Sequence, residues 1–199
     1  MKRIFVTGAT GTVGSHVVDQ LSEKDVVVRA GVRDVDKASE QLGSDVDCVH
    51  FDFQKPETWG SAFEDVDAMF LIRPPAISRV KRHLTPAIDA AARVGVEHVV
   101  YLSVLGAEKN PLIPHHQVEQ HLRDADLRYT FLRASFFMQN LAEVHKQDIV
   151  EHDEIFVPAG NGETSFVDAR DVAAVGVAAL TESGHENRAY DVTGVDALT

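Results

Sequence analysis

The sequence predicts an α/β fold in which a doubly wound parallel sheet carries helices on both faces. Short β-branched runs of strand length alternate along the 199 residues with stretches whose apolar residues recur at helical spacing. The first run, residues 4–7, leads into three glycines, Gly8, Gly11 and Gly14, and helical spacing begins at Val13. A strand, a tight turn and a helix in this order form the first unit of such a sheet. The length favours one domain over residues 1–199.

The glycine-rich turn has the chemistry of a phosphate-binding loop. Gly8 allows a sharp turn, Gly11 lets the backbone approach a pyrophosphate, and Gly14 allows the helix to pack closely on the strand. The helix N-terminus adds unpaired N–H donors and a partial positive charge. The spacing is G-x-x-G-x-x-G, with Thr10 where the dinucleotide fingerprint has a glycine. A turn without a ligand is the alternative, but the place after a strand at the start of the chain favours a cofactor loop.

Composition narrows the class of protein. The formal net charge of −12 argues against a nucleic-acid-binding surface, which needs a basic face. Cys48 is the single cysteine, so an intramolecular disulfide is excluded and a reducing compartment is favoured. Glycines interrupt the N-terminal apolar run too early for a signal peptide, and no apolar run has the length of a membrane helix. We therefore expect a cytoplasmic protein that does not enter a membrane.

The later segments continue the alternation of strands and helices. Strands are predicted over residues 26–32, 46–53, 66–72, 96–103, 128–133 and 189–194, with two short strands around a Gly-Asn-Gly turn within residues 154–167. Helices are predicted from residue 54, over 84–94 and 115–122, and from an Asp168 cap through Leu180.

Cations follow the second strand, where the adenosine ribose of a dinucleotide is expected. Arg33 ends this strand and Lys37 lies four residues further on. An arginine here accommodates the 2′-phosphate of NADP, whereas an acid such as Asp34 accepts a hydrogen bond from the 2′-hydroxyl of NAD. NADP(H) is therefore the preferred cofactor and NAD(H) the alternative. The alternative without a cofactor is a surface ion pair between Arg33 and Asp34 or Asp36.

Polar residues also end the next three strands. Asp52 follows the third strand in a position suited to the adenine amino group. Arg73 precedes two prolines that end the fourth strand, and it is a candidate for the phosphates or the nicotinamide ribose, or else a solvated loop residue. Ser103 ends the fifth strand, where its hydroxyl either faces the crevice or satisfies a backbone group.

Two other chemistries are weighed against a cofactor site. His115 and Glu119 are spaced i,i+4 on a helix, but a catalytic zinc site needs three converging ligands and neither H-E-x-x-H nor a cysteine partner is present, so no metal is expected. The lack of a G-x-S-x-G elbow disfavours a serine hydrolase. The aromatic residues at 136–137 form either a wall for a planar ring or ordinary core.

As a set, these segments resemble the atypical short-chain dehydrogenase/reductase superfamily, in its NmrA-like and quinone-oxidoreductase-like branch. The matching stretches are VTGATGTVG at 6–14, GVRD at 31–34, FLIRPP at 70–75, YLSVLGAEKN at 101–110, HHQVEQHL at 115–122, YTFLRASFFMQN at 129–140 and SFVDARDVA at 165–173. The resemblance implies a Rossmann fold that binds NADP. By position it implies cofactor contacts from Gly8, Thr10, Gly11, Thr12, Val13, Gly14, Arg33, Asp52, Phe53, Ile72, Arg73, Ser103, Ala134, Ser135 and Phe136.

One departure from this family bears on catalysis. The positions of the superfamily's Tyr-x-x-x-Lys pair fall on Pro111 and His115, so neither a phenol nor an ammonium is present to move a proton. Alcohol dehydrogenation and nucleoside-diphosphate-sugar epimerase or dehydratase chemistry are disfavoured for this reason. Hydride transfer to a quinone-like planar acceptor needs less acid help, and His115, His116 or water could supply the proton. Ser103 and His115 are the catalytic candidates of this reductase hypothesis.

Further expectations concern the kind of protein and its C-terminal part. The chain could be a non-catalytic NADP-sensing regulator of the NmrA type, with a regulatory protein partner or a homodimeric state. Residues from about 134 onward are expected to contribute to the substrate side. The chain ends soon after the strand at 189–194, so the C-terminal annex of the family is expected to be truncated or absent, in a fragment or a short form.

Overall fold

The computed structural model describes residues 1–125, 127–155 and 162–198. The strands in these ranges are β1 (Lys2–Thr7), β2 (Val26–Val32), β3 (Asp47–His50), β4 (Ala68–Ile72), β5 (His98–Val104), β6 (Arg128–Ala134), β7 (Phe136–Phe137), β8 (Thr164–Val167), β9 (Arg188–Val192) and β10 (Ala197–Leu198). The α-helices are α1 (Thr12–Ser22), α2 (Val35–Leu42), α3 (Trp59–Ala62), α4 (Val80–Arg93), α5 (Pro114–Asp124), α6 (Gln139–Glu143), α7 (Lys146–His152) and α8 (Ala169–Thr181).

The main sheet has seven strands in the order β3-β2-β1-β4-β5-β6-β9, and every neighbouring pair is parallel. The chain winds from β1 outward to β3 and then returns to place β4 on the other side of β1. This reversal is the topological switch point of a Rossmann-type sheet, and ligands bind there, outside the carboxyl ends of the strands. The predicted fold class is confirmed.

The apolar core has two layers, one on each face of the sheet. Along β1, Ile4 and Val6 face a layer that includes α1 and α8, whereas Phe5 faces a layer that includes α4 and α5. Successive strand residues point to opposite faces, so a strand buried on both faces reads as a continuous apolar run. The helices on both faces leave the carboxyl edge of the sheet as the place where functional side chains gather.

A second sheet has three strands in the order β10-β8-β7. β7 follows β6 after Ser135, and β8 pairs parallel with β7 and antiparallel with β10. The sequence predicted a strand pair within residues 154–167. Its second strand is β8, and its Gly-Asn-Gly turn includes residues that lie outside the described ones.

Candidate cofactor site

The loop between β1 and α1 has the shape that its glycines predict. Gly8 has a φ of +61°, and the N–H of Gly11 donates to the carbonyl of Gly8 at 3.0 Å, which closes a tight turn. A Cβ on Gly14 would lie 2.0 Å from the Gly8 oxygen, so only glycine allows α1 to pack against this turn. Thr10 and Gly11 are exposed, and their backbone is therefore open to a ligand. This geometry fits a pyrophosphate cradle.

The N-terminus of α1 has no capping group of its own. Gly11 is the N-cap residue, no side chain caps the helix, and its first turn contains no acid. Two side chains from elsewhere in the chain reach this region: Glu143, at the end of α6, accepts a hydrogen bond through Oε2 from Thr12 Oγ1 at 3.3 Å, and Gln41 Nε2 donates to the Thr10 carbonyl at 3.3 Å. The end of α6, 131 residues further along the chain, therefore contacts the first turn of α1.

The end of β2 presents cations to solvent. Arg33 and Lys37 are exposed, and within the described residues neither side chain makes a hydrogen bond or an ion pair. The carboxylate of Asp34 accepts from the N–H of Lys37 at 3.1 Å as the N-cap of α2. One oxygen of Asp34, the acid that would favour NAD, thus accepts a structural hydrogen bond, while the exposed Arg33 guanidinium is available to a phosphate. The Arg33 carbonyl is 3.1 Å from Nδ1 of His50 at the end of β3.

The residues after β3 form a turn beside the predicted adenine edge. The half-buried carboxylate of Asp52 accepts from the N–H of Gln54 at 2.8 Å. Phe53 is 6% exposed, and its ring packs edge-on against Phe51 with centroids 4.8 Å apart. The side chain of Phe53 therefore belongs to the core, so a contact with adenine would have to come from its backbone.

At the end of β4, Arg73 makes hydrogen bonds within its own loop. The N–H of Ile72 donates to Thr7 Oγ1 at 2.7 Å, which joins β4 to the end of β1. Arg73 is half-buried, and its Nη1 donates to the carbonyls of Pro74 and Ile77 at 3.0 and 2.8 Å. Arg73 thereby shapes the loop after β4, and in this conformation its Nη1 faces protein carbonyls. A contact with phosphate or ribose would require the guanidinium to turn.

The end of β5 contains a buried polar network. The hydroxyl of Ser103, 1% exposed, donates to Glu119 Oε1 at 2.7 Å. Arg133 of β6 donates to the same carboxylate through Nε at 3.1 Å and Nη2 at 2.7 Å. In this conformation the Ser103 hydroxyl therefore faces Glu119 and not the crevice. From the sequence, Glu119 was considered only as a metal ligand beside His115, and Arg133 was given no role in the site. An acid between Val118 and Leu122, on the apolar side of a helix, was a signal of this buried network.

His115 occupies the first turn of α5, beside the end of β5. Its ring lies 6.2 Å from the Tyr101 ring, centroid to centroid. Burial, with a smaller contribution from Arg73, lowers the pKa of His115 to about 4, so the imidazole is neutral at pH 7. Burial also raises the pKa of Tyr101, which is 0% exposed. The next residue, His116, donates through Nδ1 to the Ala107 carbonyl at 2.9 Å, because a carbonyl can only accept.

The corner after β6 forms one wall of the crevice. Ala134 is buried, Ser135 is half-buried and donates its N–H to the Val192 carbonyl at 3.0 Å, and Phe136 begins β7. The half-buried Phe136 ring packs edge-on against Phe166 at 5.4 Å and lies 5.9 Å from the His145 ring. The second sheet therefore brings aromatic rings next to the end of β6.

The predicted residues gather at the carboxyl edge of the parallel sheet. The strand register aligns Thr7 with Gly31, Ile72 with Leu102, and Ser103 with Arg133, so the loops after these strands are neighbours. Within the described ranges, no three His, Cys, Asp or Glu side chains converge to hold a metal. Across the same residues, no helix combines the length and apolar character needed to cross a membrane.

Known proteins with similar sequences and structures point to the same kind of fold. The NmrA-like family matches residues 1–192. The chain is 38% identical, over 98% of its length, to the NAD(P)H azoreductase of Xenophilus azovorans, and it spans 69% of that protein. Two solved structures are also similar. For triphenylmethane reductase from Citrobacter sp., complexed with NADP(H), the TM-score is 0.87 at 29% identity over 99% of this chain and 72% of the other. For the NADPH-dependent quinone oxidoreductase of Escherichia coli, complexed with NADPH, the TM-score is 0.87 at 27% identity, over 98% of this chain and 71% of the other. The resemblance inferred from the motifs is confirmed: the chain belongs to the NmrA-like family.

Proposed function

We propose that this protein is an NADPH-dependent reductase of quinone-like planar acceptors. The observation that carries the proposal is the pairing of a glycine loop whose Gly14 tolerates no Cβ with a free guanidinium, Arg33, at the end of the neighbouring strand. The loop suits a pyrophosphate, and Arg33 with Lys37 suits the 2′-phosphate that distinguishes NADP from NAD.

The similar proteins support the same chemistry. An azoreductase, a triphenylmethane reductase and a quinone oxidoreductase are all reductases, and the two solved structures are complexes with NADP(H) or NADPH. Their names cover azo compounds, triphenylmethane dyes and quinones, which are conjugated and largely planar molecules. The chain spans about 70% of their lengths, so the activity of a whole protein is carried over here as part of the proposal.

The cofactor, when bound, supplies a hydride, and the residues of this chain bind and orient the two reactants. Backbone N–H groups at the start of α1 would hold the pyrophosphate, and Arg33 and Lys37 would hold the 2′-phosphate. The corner at Ala134, Ser135 and Phe136 would contact the nicotinamide, and the rings of Phe136 and Phe166 would offer an apolar face to a planar acceptor. A conjugated acceptor stabilises the developing negative charge itself, so a proton from water is sufficient. His115 is neutral at pH 7 because its pKa is about 4, so it would contribute a hydrogen bond and not a proton of its own.

A non-catalytic NADP-sensing regulator is the second candidate. The observation that favours it is the presence of Pro111 and His115 where the superfamily has Tyr and Lys, together with the low pKa of His115, which leaves that imidazole unprotonated at neutral pH. A homodimer or a protein partner would fit this second candidate. A cytoplasmic location stays a prediction for both candidates.

The deciding experiment is a titration with NADPH and with NADH, followed by measurement of NADPH oxidation in the presence of menadione. We expect NADPH to bind more tightly than NADH and to be oxidised only when the quinone is present. Binding without oxidation would support the regulator instead, and failure to bind either nucleotide would refute both candidates.

Replacement of Arg33 tests the assignment of the 2′-phosphate site. In Arg33→Ala the dissociation constant of NADPH should rise about tenfold or more, because a charge-assisted hydrogen bond to a phosphate is lost. The dissociation constant of NADH should stay within twofold, since NADH has no 2′-phosphate. An equal loss for both nucleotides would contradict the assignment.

A further inference from the structure

Glu119 is a charged group in an unusual place. Among the residues that the structure describes, it is the one buried carboxylate, with an exposure of 0%. Ser103 and Arg133, its partners, are 1% and 9% exposed. Arg123, one turn further along α5, adds a more distant contact, with Nη2 3.9 Å from Glu119 Oε2.

The cost of this burial makes a purely stabilising role a poor explanation. A buried ion pair is expensive to desolvate, and apolar residues of the same volume often stabilise a protein equally well. A fully satisfied polar network instead specifies one geometry, because its hydrogen bonds are short and directional. Here both carboxylate oxygens have partners, Oε1 with Ser103 and Arg133, and Oε2 with Arg133.

The network joins the two sides of the candidate nicotinamide site. On one side, Glu119 lies one turn after His115 on α5, so its hydrogen bonds set the rotation of the helix that carries the imidazole. On the other side, Arg133 directly precedes the corner at residues 134–136. Arg133 also reaches Glu108 in the loop after β5, with Nη1 3.2 Å from Glu108 Oε2. One guanidinium thus connects the end of β6, helix α5 and the loop between β5 and α5.

We propose that Glu119 is a positioning residue of the reductase reaction: with Ser103 and Arg133 it fixes the first turn of α5, and therefore His115, against the corner that carries Ala134 to Phe136. The inference rests on the proposed function. Glu119 does not touch the reactants. It acts by holding the two walls at a fixed separation, so that the acceptor lies at the distance and angle that hydride transfer requires.

The test compares Glu119→Gln with the wild type and with Glu97→Gln. Glu97 forms an ion pair with Arg128 at the opposite edge of the same sheet and is exposed, which makes it a matched control. In Glu119→Gln we expect kcat with menadione to fall at least tenfold while the dissociation constant of NADPH stays within threefold, because the phosphate loop is not part of the network. Glu97→Gln should leave both quantities within twofold of the wild type.

A second measurement does not depend on activity. The imidazole resonances of His115, followed by NMR in protein without nucleotide, should shift in Glu119→Gln and stay unchanged in Glu97→Gln, because the ring current of Tyr101 reports the position of His115. If Glu119→Gln does not fold, Ser103→Ala removes one hydrogen bond and leaves the ion pair, and the same shift with a smaller fall in kcat is expected.

The outcomes separate the inference from the proposed function. A lower melting temperature with unchanged kcat and unchanged His115 resonances would overturn the positioning role and leave the reductase proposal intact. A wild-type protein that binds NADPH but never oxidises it would overturn the reductase proposal, and with it the role of Glu119 in that reaction.

Discussion

Glu143 places a negative charge where the proposed cofactor brings its own. Its carboxylate accepts a hydrogen bond from Thr12 at the N-terminus of α1, a helix end that has no acid of its own. In the protein without cofactor, this contact satisfies the positive end of the helix dipole. A pyrophosphate bound in the same cradle would lie close to this exposed carboxylate, and the two like charges would repel each other.

Glu143→Gln should therefore bind NADPH more tightly than the wild type does. Removing one like charge at an exposed site is worth about 1 kcal/mol, or roughly fivefold in the dissociation constant. The effect should shrink at high salt. Glu151→Gln, a change of the same kind on the adjacent helix α7, is the control, because Glu151 contacts Gln147 and not the loop. A fluorescence titration decides, and weaker or equal binding by Glu143→Gln would contradict the argument.

At the scale of the elements, the sequence predicted most of the main sheet because its strands are short, buried and β-branched. The boundaries of β2 are the same in prediction and structure, whereas the third strand was expected over residues 46–53 and β3 ends at His50. Phe51 and Phe53 lie just beyond β3, and their rings pack edge-on against each other in the core. Helix α4 begins at Val80, four residues earlier than expected. Three basic residues separate Val80 from Leu84, so the sequence did not indicate that Val80 belongs to the buried side of the helix.

Part of the candidate site could be predicted from local sequence patterns, and part depends on contacts between distant segments. The glycine loop, Arg33 and the strand-end residues are local patterns that follow directly from the order of strands and helices. The network of Glu119, Ser103 and Arg133 depends on where α5, β5 and β6 meet, and the contact of Glu143 joins segments 131 residues apart. Helices α6 and α7 were missed because they are short and contain no buried residue, so hydrophobic periodicity could not indicate them.

The turn between β1 and α1 gives a prediction for a whole element. Gly14→Ala would put a methyl group 2.0 Å from the Gly8 oxygen and 2.7 Å from the Gly8 carbonyl carbon, both backbone atoms that cannot rotate away. Helix α1 must then shift as a unit, and we expect the free energy of unfolding to fall by about 3 kcal/mol. NADPH binding should weaken as the cradle opens.

Gly60→Ala is the matched control for this substitution. Outside its chain neighbours and the backbone of its own helix α3, no atom lies within 4 Å of a Cβ at Gly60. Alanine should leave stability unchanged or raise it by up to about 1 kcal/mol, because the unfolded chain loses conformational freedom. Urea denaturation measures both variants. Equal stabilities of Gly14→Ala and Gly60→Ala would show that the turn can relax around a methyl group.

At the scale of the whole molecule, stability depends on histidines that are buried without a charge. His98 is 5% exposed, and its Nε2 donates to Thr130 Oγ1 at 2.9 Å, while Thr130 donates to the His185 carbonyl at 2.6 Å. Burial, reinforced by the positive charges of Lys2 and Arg128 and opposed by Glu186, lowers the pKa of His98 from 6.5 to about 4. The folded protein therefore keeps this imidazole neutral under conditions in which the unfolded chain protonates it.

Acid should accordingly destabilise the fold between about pH 6.5 and pH 4. In this range the unfolded state binds the His98 proton and the folded state does not, so the free energy of unfolding falls with pH and levels off below the folded pKa. The full contribution of His98 is about 3 kcal/mol.

His98→Gln tests this prediction, because glutamine keeps an N–H donor for Thr130 but does not titrate. The 31 acidic residues and His115 are present in both proteins, so their titration cancels in the comparison. The difference in unfolding free energy between wild type and variant, measured by urea denaturation from pH 7.5 to pH 4, should therefore move in favour of the variant as pH falls. A difference that stays constant over this range would mean that His98 has the same pKa in the folded and the unfolded protein. A histidine NMR titration of the folded protein would then give a pKa near the ordinary value.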